Sequence, residues 1–155
     1  FYVGKVKLKA IKLVETTYEA MMKGIEKIKP GNTFGDIGNA IQVYAEKKNY
    51  SIVRDFCGHG LGKVFHDYPS VLHFGKPGEG ELLKEGMFFT VEPMINIGDY
   101  KVKVLSDGWT AVTSDKSLSA QFEHTVGVTK TGYEIFTLSN KNYTFPPYKK
   151  NDSKI

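Results

Sequence analysis

Met87-Phe88-Phe89-Thr90-Val91-Glu92-Pro93-Met94-Ile95 is the stretch on which the fold turns. A Glu85-Gly86 turn leads into it, and its aromatic and β-branched residues read as an apolar β-strand. Glu92 is out of place there. Burying an ionised carboxylate is costly unless it is paired, hydrogen-bonded or bound to a metal. Pro93 removes a backbone donor and argues for an edge position or a bulge at that point. An ordinary Glu–Arg or Glu–Lys pair is the competing explanation, although Arg54 is the only arginine available.

Upstream the periodicity is helical. From about Val6 to Ile28 apolar residues recur at Ile11, Val14, Tyr18, Met21 or Met22, and Ile25, with Lys12, Glu15 and Glu19 between them. Pro30-Gly31 stops this helix. Thr33 followed by Asp36 has the form of a capping box, and predicts a second helix with Ile37, Ile41, Tyr44 and Ala45 on one side. That helix ends at Lys47-Lys48-Asn49, with cations near the negative pole of its dipole. The period then changes. Residues 51–54 form a short β-prone run, and residues 58–62 (GHGLG) and 75–80 (GKPGEG) read as loops.

Downstream, Gly98-Asp99 and Asp107-Gly108 mark turns, the second consistent with a hairpin leading into Trp109. A long strand is expected over residues 118–129, and a further one over residues 133–138 after the Thr131-Gly132 turn. Two helices followed by mainly antiparallel strands give an α+β fold. A globular domain is expected over residues 1–138, with a polar, poorly ordered tail over 139–155.

The formal net charge of +4 lies partly in that tail, so it defines no basic groove and gives no nucleic-acid signal. No apolar run approaches the 18 residues a membrane span needs. The single cysteine, Cys57, excludes an intrachain disulfide and fits a reducing compartment.

All four histidines lie between positions 59 and 124. His59 stands between glycines, which leave its imidazole uncrowded; a flexible loop with an incidental histidine explains the same three residues. Phe65-His66-Asp67 alone is equally compatible with a surface histidine. On a strand over 118–129, Ser119, Gln121, Glu123 and Thr125 share one face, and Leu118, Ala120, Phe122, His124, Val126 and Val128 the other. Glu123 therefore points into a polar space, or simply into solvent. His124, on the apolar side, reads as a core histidine. One histidine and two glutamates on a loop and two strands make a plausible set of ligands for Mn, Fe, Co or Zn. Their spacing matches no compact zinc motif.

Read as a series, these segments resemble the type I methionine aminopeptidases. The matching pieces are CGHGLG at 57–62, FHDYP at 65–69, VLHFG at 71–75, LKEGMFFTVEPMIN at 83–96, DGWT at 107–110 and DKSLSAQFEHTVGVT at 115–129. Prolidase and aminopeptidase P share the ligand types, but DGWT and SLSAQFEHT point to the methionine-specific branch. The resemblance implies the C-terminal half of a pita-bread fold, with two helices packed on a curved, mainly antiparallel sheet. It implies His59, Glu92 and Glu123 as metal ligands, Glu123 bridging two divalent ions (Co, Mn, Fe or Zn) and His59 and Glu92 on one of them. His66 would contact the substrate peptide and help polarise the scissile carbonyl. Glu92 would also shuttle a proton, and Phe65 and Trp109 would wall the methionine pocket. No role falls to Cys57.

The implied activity is removal of the initiator methionine from nascent proteins in the cytoplasm, with the ribosome as an expected partner and no membrane involved. The family completes its site with two aspartates that precede the segments matched here. Asp36 and Asp55 are not at matching positions. The expectation is that this polypeptide alone is inactive, poorly stable, or both. Competing readings are a non-catalytic binding protein on the same fold and a prolidase-like Xaa-Pro peptidase.

Overall fold

The computed structural model describes residues 2–141, 143, 145 and 146. Of the tail expected over 139–155, residues 142, 144 and 147–155 lie outside the described set.

Helix α1 spans Leu8–Ile25 and α2 spans Phe34–Lys47. The expected Tyr18, Met21 and Ile25 are buried in α1 together with Leu13, Thr16, Thr17, Ala20 and Gly24, whereas Ile11 and Val14 are only half-buried and flank them. The helix also ends three residues before Ile28. Its last turn tightens, with the N–H groups of Lys27 and Ile28 donating to the carbonyls of Gly24 and Ile25 at 2.9 Å. In α2 the capping box is complete. Thr33 Oγ1 accepts from the Asp36 N–H at 3.3 Å, and Asp36 Oδ2 accepts from the Thr33 N–H at 2.7 Å. Ile37, Ile41 and Ala45 are fully buried on the inner face, as the spacing required.

Ten short strands follow: β1 Ser51–Ile52, β2 Gly58–Gly60, β3 Asp67–Val71, β4 Phe88–Val91, β5 Met94–Asn96, β6 Val102–Val104, β7 Ala111–Thr113, β8 Ser119–Gln121, β9 His124–Val128 and β10 Tyr133–Ile135. They form a five-stranded sheet in the order β10-β9-β4-β2-β3, a three-stranded sheet in the order β1-β5-β8, and the hairpin β6-β7. Every pairing is antiparallel. The helices cover one side, and the core runs from Leu13, Met21, Ile25, Ile37 and Ile41 to Phe89, Val91, Ile95 and Val126. No helix among the described residues is long and apolar enough to cross a membrane.

Two expectations are corrected here. The stretch Met87–Ile95 is not one strand: it breaks at Glu92-Pro93 and passes from the five-stranded sheet (β4) to the three-stranded one (β5). The stretch over residues 118–129 breaks at Phe122-Glu123 and crosses in the other direction, from β8 to β9. Val91 pairs with His124 before the break and Met94 with Gln121 after it, so the register continues and Glu92 stands opposite Glu123. Pro93, with no N–H to give to a ladder, is the physical reason that pairing fails at this corner.

The glycine segment at 58–62 is likewise not a loop throughout. Gly58–Gly60 is strand β2, between β3 and β4. A Cβ on Gly60 would collide with the Tyr68 carbonyl, and one on Gly58 with the Thr90 carbonyl, so these glycines permit close strand approach. Strand β3 was not anticipated. It is an edge strand, where Pro69 costs no ladder bond.

Thr33→Ala is expected to lower stability by about 1 kcal/mol in urea unfolding, the usual effect of losing an N-cap. The Thr33 backbone N–H in particular, with the Thr33 hydroxyl and the Gly78 N–H, holds the Asp36 carboxyl below its ordinary value. Its contribution is therefore complete above the ordinary carboxylate pKa and is lost as pH falls through the depressed one. The stability difference between wild type and Asp36→Ala should shrink on acidification below about pH 4; a difference that grows there would contradict the capping role.

Candidate metal centre

The corner between the two sheets collects the polar groups. Glu92 follows the last residue of β4, Glu123 precedes the first residue of β9, and His59 is the middle residue of β2. One ligand atom from each of His59, Glu92 and Glu123 lies within 4.8 Å of the others. His59 and Glu92 are largely enclosed, with side chains 13% and 16% exposed, whereas Glu123 is exposed. The mixture of one imidazole and two carboxylates suits a divalent transition metal.

The distances agree with that. Two donors each about 2.1 Å from one ion stand about 3 to 4.2 Å apart as their angle opens from 90° to 180°. His59 Nε2 and Glu92 Oε1 are 3.7 Å apart, too far for a hydrogen bond and within that interval. The tautomer is also fixed. His59 Nδ1 lies 3.0 Å from the Gly60 carbonyl oxygen, which can only accept, so in the neutral ring Nδ1 carries the proton and Nε2 presents a lone pair.

Glu92 is held from several sides. The Thr90 hydroxyl donates to Oε1 at 2.6 Å, and Gln121 Nε2 donates to the backbone carbonyl at 3.2 Å and to Oε2 at 3.4 Å. The Glu92 N–H, freed at the strand break, donates to His73 Nε2 at 3.0 Å. Burial raises the Glu92 pKa above its ordinary value; the Thr90 hydrogen bond opposes this, and the Glu123 charge adds to it. His73 is 2% exposed, and burial pushes its pKa down to about 3, so it stays neutral and keeps the lone pair that Glu92 uses.

Phe65 and His66, on the segment joining β2 to β3, close over the histidine. The His66 ring centroid is 4.4 Å from that of His59 and 4.8 Å from that of Phe65, and the Phe65 ring is 5.4 Å from His59. Phe65 remains 70% exposed. Trp109 is 88% exposed on the turn of the β6-β7 hairpin and makes no ring contact among the described residues. Its backbone is fixed, however, because Asp107 Oδ1 accepts from the N–H groups of Trp109 and Thr110. His124 is half-buried against Tyr18, with Nδ1 2.8 Å from Thr137 Oγ1. Asp36 is committed to its capping box, and Cys57 is a half-buried free thiol.

The sequence reading missed His73, Thr90 and Gln121. A polar Thr90 in an apolar strand, two residues before Glu92 and so on its face, was a usable signal. Nothing local pointed to His73, which meets Glu92 only through the tertiary fold.

Comparison with known proteins identifies the family of the chain. Residues 1–130 match metallopeptidase family M24. The chain is 65% identical over 150 residues to the methionine aminopeptidase of Rickettsia prowazekii (strain Madrid E), covering 96% of this chain and 58% of that protein. The crystal structure of methionine aminopeptidase from Rickettsia prowazekii superposes with a TM-score of 0.88, covering 89% of this chain and 56% of that one. Prolidase from Pyrococcus furiosus aligns at TM-score 0.67 and 24% identity, a likeness of fold alone. The chain thus spans a little over half the length of the methionine aminopeptidase it matches, and the expected α+β, pita-bread architecture holds.

His73→Leu should destabilise the protein by about 1–3 kcal/mol, because it strands the Glu92 N–H at a buried corner. Urea unfolding tests this, and a loss below about 0.5 kcal/mol, the range of neutral surface changes, would show that the bond carries no weight.

Proposed function

Because the chain belongs to metallopeptidase family M24, we propose that it carries the metal-binding part of a type I methionine aminopeptidase, which removes the initiator methionine from nascent proteins. The observation that supports this most directly is the meeting of His59, Glu92 and Glu123 at one corner. The 65% identity to the Rickettsia methionine aminopeptidase favours the methionine-specific reading over the prolidase one, at 24%. The retained His59, His66, Glu92 and Glu123 argue against a non-catalytic binder.

In this reading His59 Nε2 and the two carboxylates hold divalent cations of the Co, Mn, Fe or Zn class. When bound, such ions supply Lewis acidity, lowering the pKa of adjacent water and polarising a carbonyl. Glu92 accepts a proton from the attacking water on a carboxylate oxygen and returns it to the leaving amine. His66, exposed beside His59, reaches the substrate peptide and stabilises negative charge growing on the carbonyl oxygen. Phe65 and Trp109 offer aromatic surface to the methionine side chain. A pocket of this kind discriminates by about 1–3 kcal/mol per methylene.

Three protein donors suffice for one ion; a second needs oxygen ligands beyond His59, Glu92 and Glu123, and the resemblance implies two aspartates in that role. Cytoplasmic location and contact with the ribosome belong to the same proposal.

Metal content and Met-Ala-Ser hydrolysis should be measured on this chain beside a version extended upstream. The expected result is two ions and turnover in the extended version only. Glu92→Gln in that version should lower kcat by at least about 100-fold, the lower end for losing a general base. Failure of both versions to bind metal would leave a non-catalytic role as the better account.

A further inference from the structure

We propose that Thr90 is a positioning residue of the centre, its hydroxyl locking the His59 backbone and the Glu92 carboxylate into one arrangement that receives a divalent ion. The proposal rests on the ligand reading above and deepens it.

Thr90 lies between Phe89 and Val91 in β4 and is 1% exposed, as buried as its apolar neighbours. A hydroxyl at such a place must be hydrogen-bonded or it destabilises the fold. It has one proton and two lone pairs. The proton goes to Glu92 Oε1, at 2.6 Å. A lone pair accepts the His59 N–H from the neighbouring strand, at 2.9 Å. One small group is thus bonded to both residues.

The oxygen that Thr90 holds is the one facing His59 Nε2 at 3.7 Å. With one lone pair of Oε1 engaged by the hydroxyl, the other is left on the side of the imidazole. Gly58 makes the approach possible, since a Cβ there would sit 3.0 Å from Thr90 Oγ1 and collide with the Thr90 carbonyl. Thr90 and Glu92, two residues apart, point to the same face, so no rearrangement is needed to bring them together. The partner of a metal ligand typically changes metal affinity by about 10–100-fold when removed.

The test is titration with Co²⁺, read by its visible absorption and by calorimetry, on the upstream-extended polypeptide. Thr90→Val keeps the shape and removes the hydroxyl; Thr90→Ser keeps the hydroxyl and removes the methyl group; Thr90→Ala removes both. Circular dichroism checks that each variant folds. The expected result is at least 10-fold weaker Co²⁺ binding for Val and Ala, with an altered absorption band, and Ser within about threefold of wild type. If Val does not fold, the comparison of Ser with Ala decides. Equal affinity of Ser and Ala, or wild-type affinity in folded Val, overturns the proposal. His59→Ala separates the two levels: if it binds Co²⁺ like wild type, the ligand reading itself fails and this proposal with it. If His59→Ala loses binding while Val does not, only the role of Thr90 fails.

Discussion

Glu92 and Glu123 stand opposite each other at the break between the β4–β9 and β5–β8 pairings, and like charges so placed repel. Most of the surrounding architecture responds to that juxtaposition. The ladder opens at this point because Pro93 gives no N–H, and both strands change sheets there. At the break Glu92 is largely enclosed, with its side chain 16% exposed, while Glu123 is exposed. Burial raises the Glu92 pKa and the Glu123 charge adds to the rise, an effect that a cation between the two carboxylates would offset.

The supply of the imidazole follows a different constraint. His59 reaches the corner only if β2 lies close to both β3 and β4, and that closeness is set by backbone rather than by side chains. Any Cβ at 58 or 60 meets a carbonyl oxygen on the neighbouring strand. The Gly60 carbonyl, in turn, fixes which nitrogen of His59 keeps its proton. The two glycines thus act on the chemistry through strand spacing and tautomer, without a side chain between them.

This explains what could be read from the sequence and what could not. The capping box of α2 was legible because it depends on residues three apart. The hairpin whose turn carries Trp109 was legible from Asp107-Gly108 for the same reason. Glu92 announced itself by its polarity in an apolar run, and Pro93 announced an interruption of pairing. The glycines of 58–60 were misread because close strand approach and loop flexibility have the same local signature. The break at Phe122-Glu123 had no signal of its own, since it is imposed by the partner strand that carries Pro93. His73 supports a residue 19 positions away, a relation that only the folded chain contains.

Within the centre, rigidity is unevenly distributed, and the distribution matters for how a cation would be received. His59 and Glu92 are enclosed, and their backbone and side-chain atoms are engaged by Thr90, Gly60, His73 and Gln121. Glu123, His66, Phe65 and Trp109 are exposed. The first pair can therefore offer donors with little reorganisation, while Glu123 must give up solvent and rotamer freedom to join them. Two preorganised donors and an adaptable third would let such a ligand shell fit ions of slightly different radius. That is consistent with a donor set whose chemistry does not single out one metal among Mn, Fe, Co and Zn. His59 and Glu92 thus form an enclosed, rigid half of the centre, and Glu123, His66 and Phe65 an open one.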